Sequence, residues 1–115
     1  MNTFYLLYEL GAALRRVHWS SNRLAKYQGA RLGEIVHHAY ETVPYYHKLF
    51  DKAGVRPDDI RSPADLSHLP ITTKADLQRV SPEERVASNL DSSTFVKELT
   101  SGSTGRPFTI QHTQR

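Results

Sequence analysis

Cysteine does not occur anywhere in this 115-residue chain. Its absence excludes disulfide bonds, thiolate metal sites and cysteine nucleophiles from this stretch of sequence. A chain without cysteine is compatible with the reducing environment of the cytosol, and we therefore expect a cytoplasmic protein.

Long apolar runs and concentrated positive charge are missing as well. The most apolar stretch, Phe4 to Leu14, contains Glu9 and has no basic segment before it. A bilayer-spanning helix needs about 20 apolar residues, so we expect neither a membrane span nor a signal peptide. Fifteen Lys and Arg residues are scattered among twelve Asp and Glu residues, for a net charge of +3. Because no basic stripe interleaves with aromatic residues, we expect no nucleic-acid partner.

The first part of the chain has the period of amphipathic helices. From Phe4 to His18, apolar residues recur at steps of three and four, which predicts a first helix. A break at residues 19–22 precedes a second helix from Arg23, in which Gly29 and Gly33 should each cost about 1 kcal/mol relative to alanine. The second helix carries an apolar stripe that comprises Tyr27, Leu32, Ile35, Val36, Ala39, Tyr40 and Val43.

Helix start and stop signals follow. Pro44 suits the first turn of a third helix, and Gly54 suits the left-handed residue that ends one. Beyond Gly54, three hydroxyl residues each precede a carboxylate by three positions, close to the capping-box pattern. These pairs are Ser62 and Asp65, Thr73 and Asp76, and Ser81 and Glu84. They predict short helical starts near Pro63, Lys74 and Pro82.

The last part of the chain predicts two strands around a loop. Residues 94–99 alternate and include the β-branched Thr94 and Val96, and residues 107–113 form a second extended run. We therefore expect an α+β chain in which a helical region, residues 1–91, is followed by a β-hairpin region, residues 92–115. The hairpin loop concentrates three kinds of small residue, in the order Thr100, Ser101, Gly102, Ser103, Thr104 and Gly105.

The composition of this loop suits an anion. Glycines permit close backbone approach, so that successive N–H groups can converge on phosphate oxygens, and the hydroxyls add further donors. The loop lacks the Gly-Lys-Ser/Thr ending of a Walker A loop, and a strand rather than a helix is predicted after it. Ser/Thr/Gly clusters between strands are usually hairpin turns without a ligand, so composition leaves both interpretations open.

A resemblance favours the phosphate interpretation. The sequence Thr-Ser-Gly-Ser-Thr-Gly-Arg-Pro at residues 100–107 is similar to the phosphate-binding signature of the adenylate-forming superfamily, which includes acyl-CoA synthetases, peptide-synthetase adenylation domains and luciferases. Residues 38–46 and 69–77 resemble the N-terminal region of phenylacetate-CoA ligases and of relatives named for capsular polysaccharide synthesis. The similar stretches extend over roughly residues 30 to 110 in the order found in that family.

The resemblance implies a role for each loop residue. Thr100, Ser101, Gly102, Ser103, Thr104 and Gly105 would hold the β- and γ-phosphates of ATP, with Mg²⁺, while a carboxylic acid attacks the α-phosphorus. The products would be an acyl-adenylate and pyrophosphate, and CoA is a possible second substrate. Many members of the superfamily have a lysine directly after the proline, where this chain has Phe108. The phenylacetate-ligase branch tolerates other residues there.

The resemblance also implies that the chain is an N-terminal piece of a larger α/β AMP-forming ligase. The substrate pocket, the adenine site and the lid with its catalytic lysine lie downstream in the family, so we expect this chain alone to be inactive. Its sheet edge could promote self-association. The alternative is a small helical interaction module whose Ser/Thr/Gly loop is a plain turn.

Other candidate residues favour structural roles. His37 and His38 are adjacent, and neighbouring helical residues point about 100° apart, so the two cannot ligate one metal from the same face. We predict no metal site and no catalytic residue in this chain. Tyr45 and Tyr46 are expected to pack, and Lys74 is expected to belong to a capped helix start.

Overall fold

The structure is a computed structural model that describes residues 3–100 and 108–113. The described residues form four α-helices and two strands: α1 Thr3–Val17, α2 Ser21–Thr42, α3 Pro44–Ala53, α4 Lys74–Arg79, β1 Phe95–Leu99 and β2 Thr109–Thr113. Short 3₁₀ helices lie at Pro57–Asp59, Pro63–His68, Pro82–Arg85 and Ser92–Thr94. Helices followed by an antiparallel hairpin are the α+β order that the sequence predicts.

The helix boundaries follow their local signals. Helix α2 begins two residues earlier than predicted, because the Ser20 side chain accepts a hydrogen bond from the backbone N–H of Arg23 at 3.4 Å. Pro44 is the first residue of α3, as predicted. Gly54 ends α3 with a left-handed φ of 67°, which a residue with a side chain rarely adopts.

Two of the three predicted capping pairs form. The Asp65 carboxylate accepts the backbone N–H of Ser62 at 2.8 Å, and the Asp76 carboxylate accepts that of Thr73 at 2.9 Å. The third prediction is wrong, because the Ser81 side chain caps no backbone N–H and the Glu84 carboxylate instead pairs with the Lys48 ammonium on α3. This ion pair joins the 3₁₀ helix Pro82–Arg85 to α3.

The core lies between α2, α3 and the segment that follows α3 in the chain. Val36, Phe50 and Ile60 are buried together, and Leu32, Tyr40, Val55 and Leu69 pack around them. Ile35 was predicted to share the apolar stripe of α2, but it is 65% exposed. The adjacent residues 35 and 36 point in directions about 100° apart, and α2 turns Val36 inward.

Gly29 allows a close crossing in the helical part. A Cβ atom at residue 29 would lie 2.7 Å from the backbone oxygen of Arg61. That distance is too short for any side chain, so the segment before Pro63–His68 can approach α2 only because residue 29 is glycine. Glycine at residue 29 lowers the helix propensity of α2, but the close contact with the Arg61 backbone requires it.

The hairpin pairs in a single antiparallel register. Leu99 lies opposite Thr109 at the loop end, and Phe95 lies opposite Thr113 at the other. The turn that leads into β1 is closed by Asp91, whose carboxylate accepts the backbone N–H of Ser93 at 2.9 Å. Hydrogen bonding to Ser93 also lowers the pKa of Asp91.

Candidate functional site

Thr100 and Phe108 close the base of the hairpin loop. The backbone N–H of Thr100 donates to the carbonyl oxygen of Phe108 at 2.9 Å. In return, the backbone N–H of Phe108 donates to the Thr100 hydroxyl oxygen at 3.0 Å. The two bonds bring together the residues on either side of the seven-residue stretch 101–107. The Thr100 hydroxyl keeps its own hydrogen, so it can still donate to an anion.

The remaining predicted phosphate contacts are not part of the described structure. Ser101, Gly102, Ser103, Thr104 and Gly105 lie outside the described residues, as do Arg106 and Pro107. Their assignment to ATP phosphates stays a prediction. Of the predicted loop residues, Thr100 is the one whose position the structure describes.

Arg85 is a residue that the sequence reasoning missed. Its guanidinium carbon lies 5.1 Å from the centre of the Phe108 ring, within the range of a cation–π contact. Its Nε atom is buried and has no hydrogen-bond partner among the described residues. The structure thus places a positive charge beside the Phe108 ring. No local sequence signal identifies Arg85, because the contact joins a 3₁₀ helix to a distant strand.

A small cavity of about 190 Å³ lies beside Arg85 and the start of β2. Tyr45 and Tyr46 of α3 contribute to its wall, with their rings edge to face at 5.3 Å between centroids. Sites for drug-sized ligands usually measure about 300 to 1,000 Å³, so this cavity is small for such a ligand. We therefore interpret this cavity as part of the interface between the hairpin and the helical part.

A larger open cleft of about 860 Å³ lies between α3 and α4. Leu49, Leu69 and Val80 supply apolar surface, and four of the charged groups that line the cleft form two pairs. Lys48 pairs with Glu84, and the Arg79 guanidinium lies 3.8 Å from the Asp76 carboxylate. We assign no ligand to this cleft.

Two histidines are held by carboxylates. His37 Nε2 lies 2.9 Å from Asp58 Oδ1, and His47 Nε2 lies 3.3 Å from Asp51 Oδ2. The Tyr40 hydroxyl also donates to Asp51, at 2.9 Å, and this hydrogen bond raises the pKa of Tyr40. Across residues 3–100 and 108–113, no cluster of three or more His, Cys, Asp and Glu residues could hold a metal ion.

The helices of the described ranges include none with the length and apolar character needed to cross a membrane. The longest of them, α2, has 22 residues but mixes charged and apolar side chains along its length.

Comparisons with known proteins relate this chain to one group of enzymes. No family model matches the chain. A phenylacetate-coenzyme A ligase of Escherichia coli is 40% identical over 95 residues, which cover 83% of this chain and 22% of that protein. The enzyme of the same name from Aromatoleum evansii is 42% identical over 94 residues, 82% of this chain and 21% of that protein. One from Thermus thermophilus is 36% identical over 92 residues, 80% of this chain and 20% of that protein.

The matched stretch thus makes up most of this chain but only about a fifth of the curated relatives. Within that stretch, this chain is 36 to 42% identical to enzymes of the same name from three different bacteria. This chain is a phenylacetate-CoA ligase-like sequence.

Proposed function

We propose that this chain supplies the ATP-phosphate-binding segment of an ATP-dependent carboxylate ligase. The main support for this proposal is the pair of hydrogen bonds between Thr100 and Phe108, which closes a Ser/Thr/Gly-rich loop between two paired strands. A loop with a fixed base can present several N–H and hydroxyl donors to one group of phosphate oxygens. The residues Thr100 to Gly105 are proposed to hold the β- and γ-phosphates in this way.

The resemblance to adenylate-forming enzymes gives the proposed reaction. A carboxylate oxygen of the acid would attack the α-phosphorus of ATP, and pyrophosphate would leave. The thiol of CoA would then displace AMP from the acyl-adenylate to give the thioester. The relatives are named for phenylacetate, and an arylacetic acid is therefore the proposed substrate class.

The donor set fits a polyphosphate with Mg²⁺. Hydroxyl and backbone N–H donors stabilise the charge on phosphate oxygens, and Mg²⁺ would neutralise the charge that builds up in the transition state. Arg85 beside Phe108 brings a cation near the base of the loop. These residues bind and orient the phosphates, and we assign no acid, base or nucleophile to the chain.

A chimaera tests this function directly. In the Escherichia coli ligase, the stretch that matches this chain would be replaced by the corresponding residues of this chain. We expect the chimaera to catalyse phenylacetate-dependent exchange of pyrophosphate into ATP. Replacing Ser103 by valine should reduce this exchange about 100-fold, because one preorganised donor is typically worth that much.

Two controls complete the test. Ser67→Ala removes a hydroxyl whose bond is local, to the backbone oxygen of Ala64, and should leave exchange unchanged. The same exchange rate in the Ser103→Val and unmodified chimaeras would refute a phosphate role for the loop. The isolated 115-residue chain is expected to be inactive in this assay.

The compartment and the assembly state are also proposals. ATP and CoA chemistry in a chain without cysteine is consistent with the cytoplasm. The open edges of the two-stranded sheet favour self-association of the isolated chain. The capsular polysaccharide relatives that resemble residues 38–46 and 69–77 leave other acids open as substrates.

An interaction module is the second candidate function. Its support is α1, whose large apolar side chains are all exposed. The chimaera separates the two candidates, because an interaction module would supply no pyrophosphate exchange.

A further inference from the structure

Helix α1 carries an apolar face that the rest of the described structure does not cover. None of its fifteen residues, all of which the structure describes, is buried. Leu7, Leu10 and Leu14 are 61%, 58% and 59% exposed, and Val17 is 76% exposed. With about 100° between successive residues, these side chains lie on one side of the helix, and Glu9 lies on the other. Exposed apolar patches of this kind mark interaction surfaces.

Positive charge accumulates where this helix ends. Arg15 and Arg16 lie in the last turn of α1, and Arg23 and Lys26 follow in α2. Glu9 is the sole acidic residue between positions 3 and 26. Residues 3–26, which include the apolar face, thus carry four cations and one anion.

The junction between α1 and α2 combines aromatic rings with arginines. The Arg23 guanidinium carbon lies 4.2 Å from the Trp19 ring, and the Arg16 guanidinium carbon lies 4.9 Å from the Tyr27 ring. Trp19 and Tyr27 meet edge to face, with 5.4 Å between their centroids. Tryptophan and tyrosine favour the boundary between lipid and water, because one end of each side chain is apolar and the other is polar.

The dimensions of α1 suit a helix that lies on a membrane. A helix of fifteen residues is about 22 Å long, which is shorter than the roughly 30 Å hydrocarbon core of a bilayer. An amphipathic helix with leucines on one face and cations nearby binds in the plane of the interface instead.

We propose that α1 docks in the plane of an anionic lipid surface. Leu7, Leu10 and Leu14 enter the boundary of the acyl chains, and the Trp19–Tyr27 pair lies at headgroup level with its arginines. Charge decides against a second copy of the chain as the occupant of this face. Two copies would bring together surfaces that are both positive, with a single glutamate on each to compensate. An anionic headgroup complements all four cations.

Flotation of the complete 115-residue chain with lipid vesicles tests this proposal. The vesicles contain phosphatidylcholine alone, or phosphatidylcholine and phosphatidylserine at about 3:1. We expect the chain to float with the anionic vesicles and to bind the neutral ones much more weakly. Arg15→Gln should weaken binding to the anionic vesicles about fivefold, since one cation near such a surface contributes about that factor.

The variant L10A/L14A removes apolar surface while it keeps a high helix propensity. It should reduce vesicle binding at least tenfold, because each buried methylene contributes to the affinity of an interfacial helix. Ile71→Ala is the matched control, because Ile71 is 90% exposed and lies outside α1. Its vesicle binding should equal that of the unmodified chain.

Three results would overturn the proposal. They are no flotation with anionic vesicles, equal flotation with neutral and anionic vesicles, and equal binding by L10A/L14A and the unmodified chain. Light scattering after gel filtration measures the mass without lipid. A dimer that L10A/L14A dissociates, in a chain that does not float, would assign this face to contacts between copies.

Discussion

Thr100 and Phe108 are joined by two hydrogen bonds of 2.9 and 3.0 Å, one between their backbones and one from the Phe108 N–H to the Thr100 hydroxyl. Without the hydroxyl of residue 100, the Phe108 N–H would need another hydrogen-bond acceptor. The threonine side chain provides that acceptor at the point where the loop begins. The same residue type that suits a phosphate loop therefore also closes it.

The first prediction concerns this closure. Thr100→Val keeps the shape of the side chain but removes the acceptor of the Phe108 N–H, and should lower the free energy of unfolding by about 1 kcal/mol. Urea unfolding measures the loss, and faster hydrogen exchange at the Phe108 amide locates it. Thr109→Val is the control, since no hydrogen bond joins the Thr109 hydroxyl to another described residue. Equal exchange rates at Phe108 in the Thr100→Val variant and the unmodified chain would contradict the prediction.

The second prediction concerns Gly29 and Gly33 of α2. Gly29→Ala should destabilise the protein by about 1 to 3 kcal/mol, because its Cβ would meet the Arg61 backbone oxygen at 2.7 Å. Gly33→Ala should stabilise it by up to about 1 kcal/mol, because nothing lies within 4 Å of that Cβ and alanine favours the helix. Thermal unfolding of both variants checks the opposite signs. Stabilisation by both substitutions would show that Arg61 does not approach α2 as described.

The third prediction concerns Arg85 in the absence of a ligand. Arg85→Met keeps a long side chain against Phe108 but removes a buried Nε that has no partner among the described residues. Removing an unsatisfied buried donor is neutral or stabilising, so the melting temperature should stay the same or rise. Arg79→Met serves as the control, because the Arg79 side chain is 80% exposed. A melting temperature that falls by several degrees in Arg85→Met alone would show that Arg85 makes a stabilising hydrogen bond.

The fourth prediction concerns acid. Hydrogen bonds from the Thr73 hydroxyl and backbone N–H lower the pKa of Asp76 below its ordinary value of 3.8. Bonds from the backbone N–H of Arg61 and from Ser62 lower the pKa of Asp65 in the same way. A carboxyl with a depressed folded pKa contributes stability above its unfolded pKa. That contribution is lost as the pH falls through the folded value.

Stability should therefore decrease as the pH falls below about 4 and these carboxylates take up protons. The variant D65N/D76N should lose stability at neutral pH and show a flatter decrease in acid. Urea unfolding across this pH range measures both slopes. Parallel curves for the variant and the unmodified chain would mean that other groups cause the acid dependence.

Several features of the fold could be read from the sequence because their causes are local. Pro44 and Gly54 mark the ends of α3 through their own backbone preferences, and the Thr73–Asp76 pair caps α4 within four residues. The alternation of residues 94–99 and 107–113 predicted the hairpin, which the register from Phe95 to Leu99 confirms. The resemblance to phenylacetate-CoA ligases, based on short motifs, agrees with the relatives found.

Other features depend on partners that lie far away along the chain. Ile35 fits the helical period as well as Val36 does, and the position of the core decided which of them is buried. Glu84 was predicted to form a capping pair with Ser81, but its carboxylate forms an ion pair with Lys48 of α3. Neither the burial of Val36 nor the pairing of Glu84 can be predicted from the few neighbouring residues.

By itself, the sequence determined the order of the helices and strands and the bounds of α3, because caps, proline, glycine and alternation act on the nearest residues. The resemblance of residues 100–107 to a phosphate-binding signature, together with their composition, led to the proposal of a phosphate site. Tertiary structure alone decided that Arg85 lies against Phe108, that Gly29 meets Arg61, and that α1 keeps its apolar face exposed. These three depend on how separate segments pack, and packing brings together residues whose sequence positions carry no record of their contact.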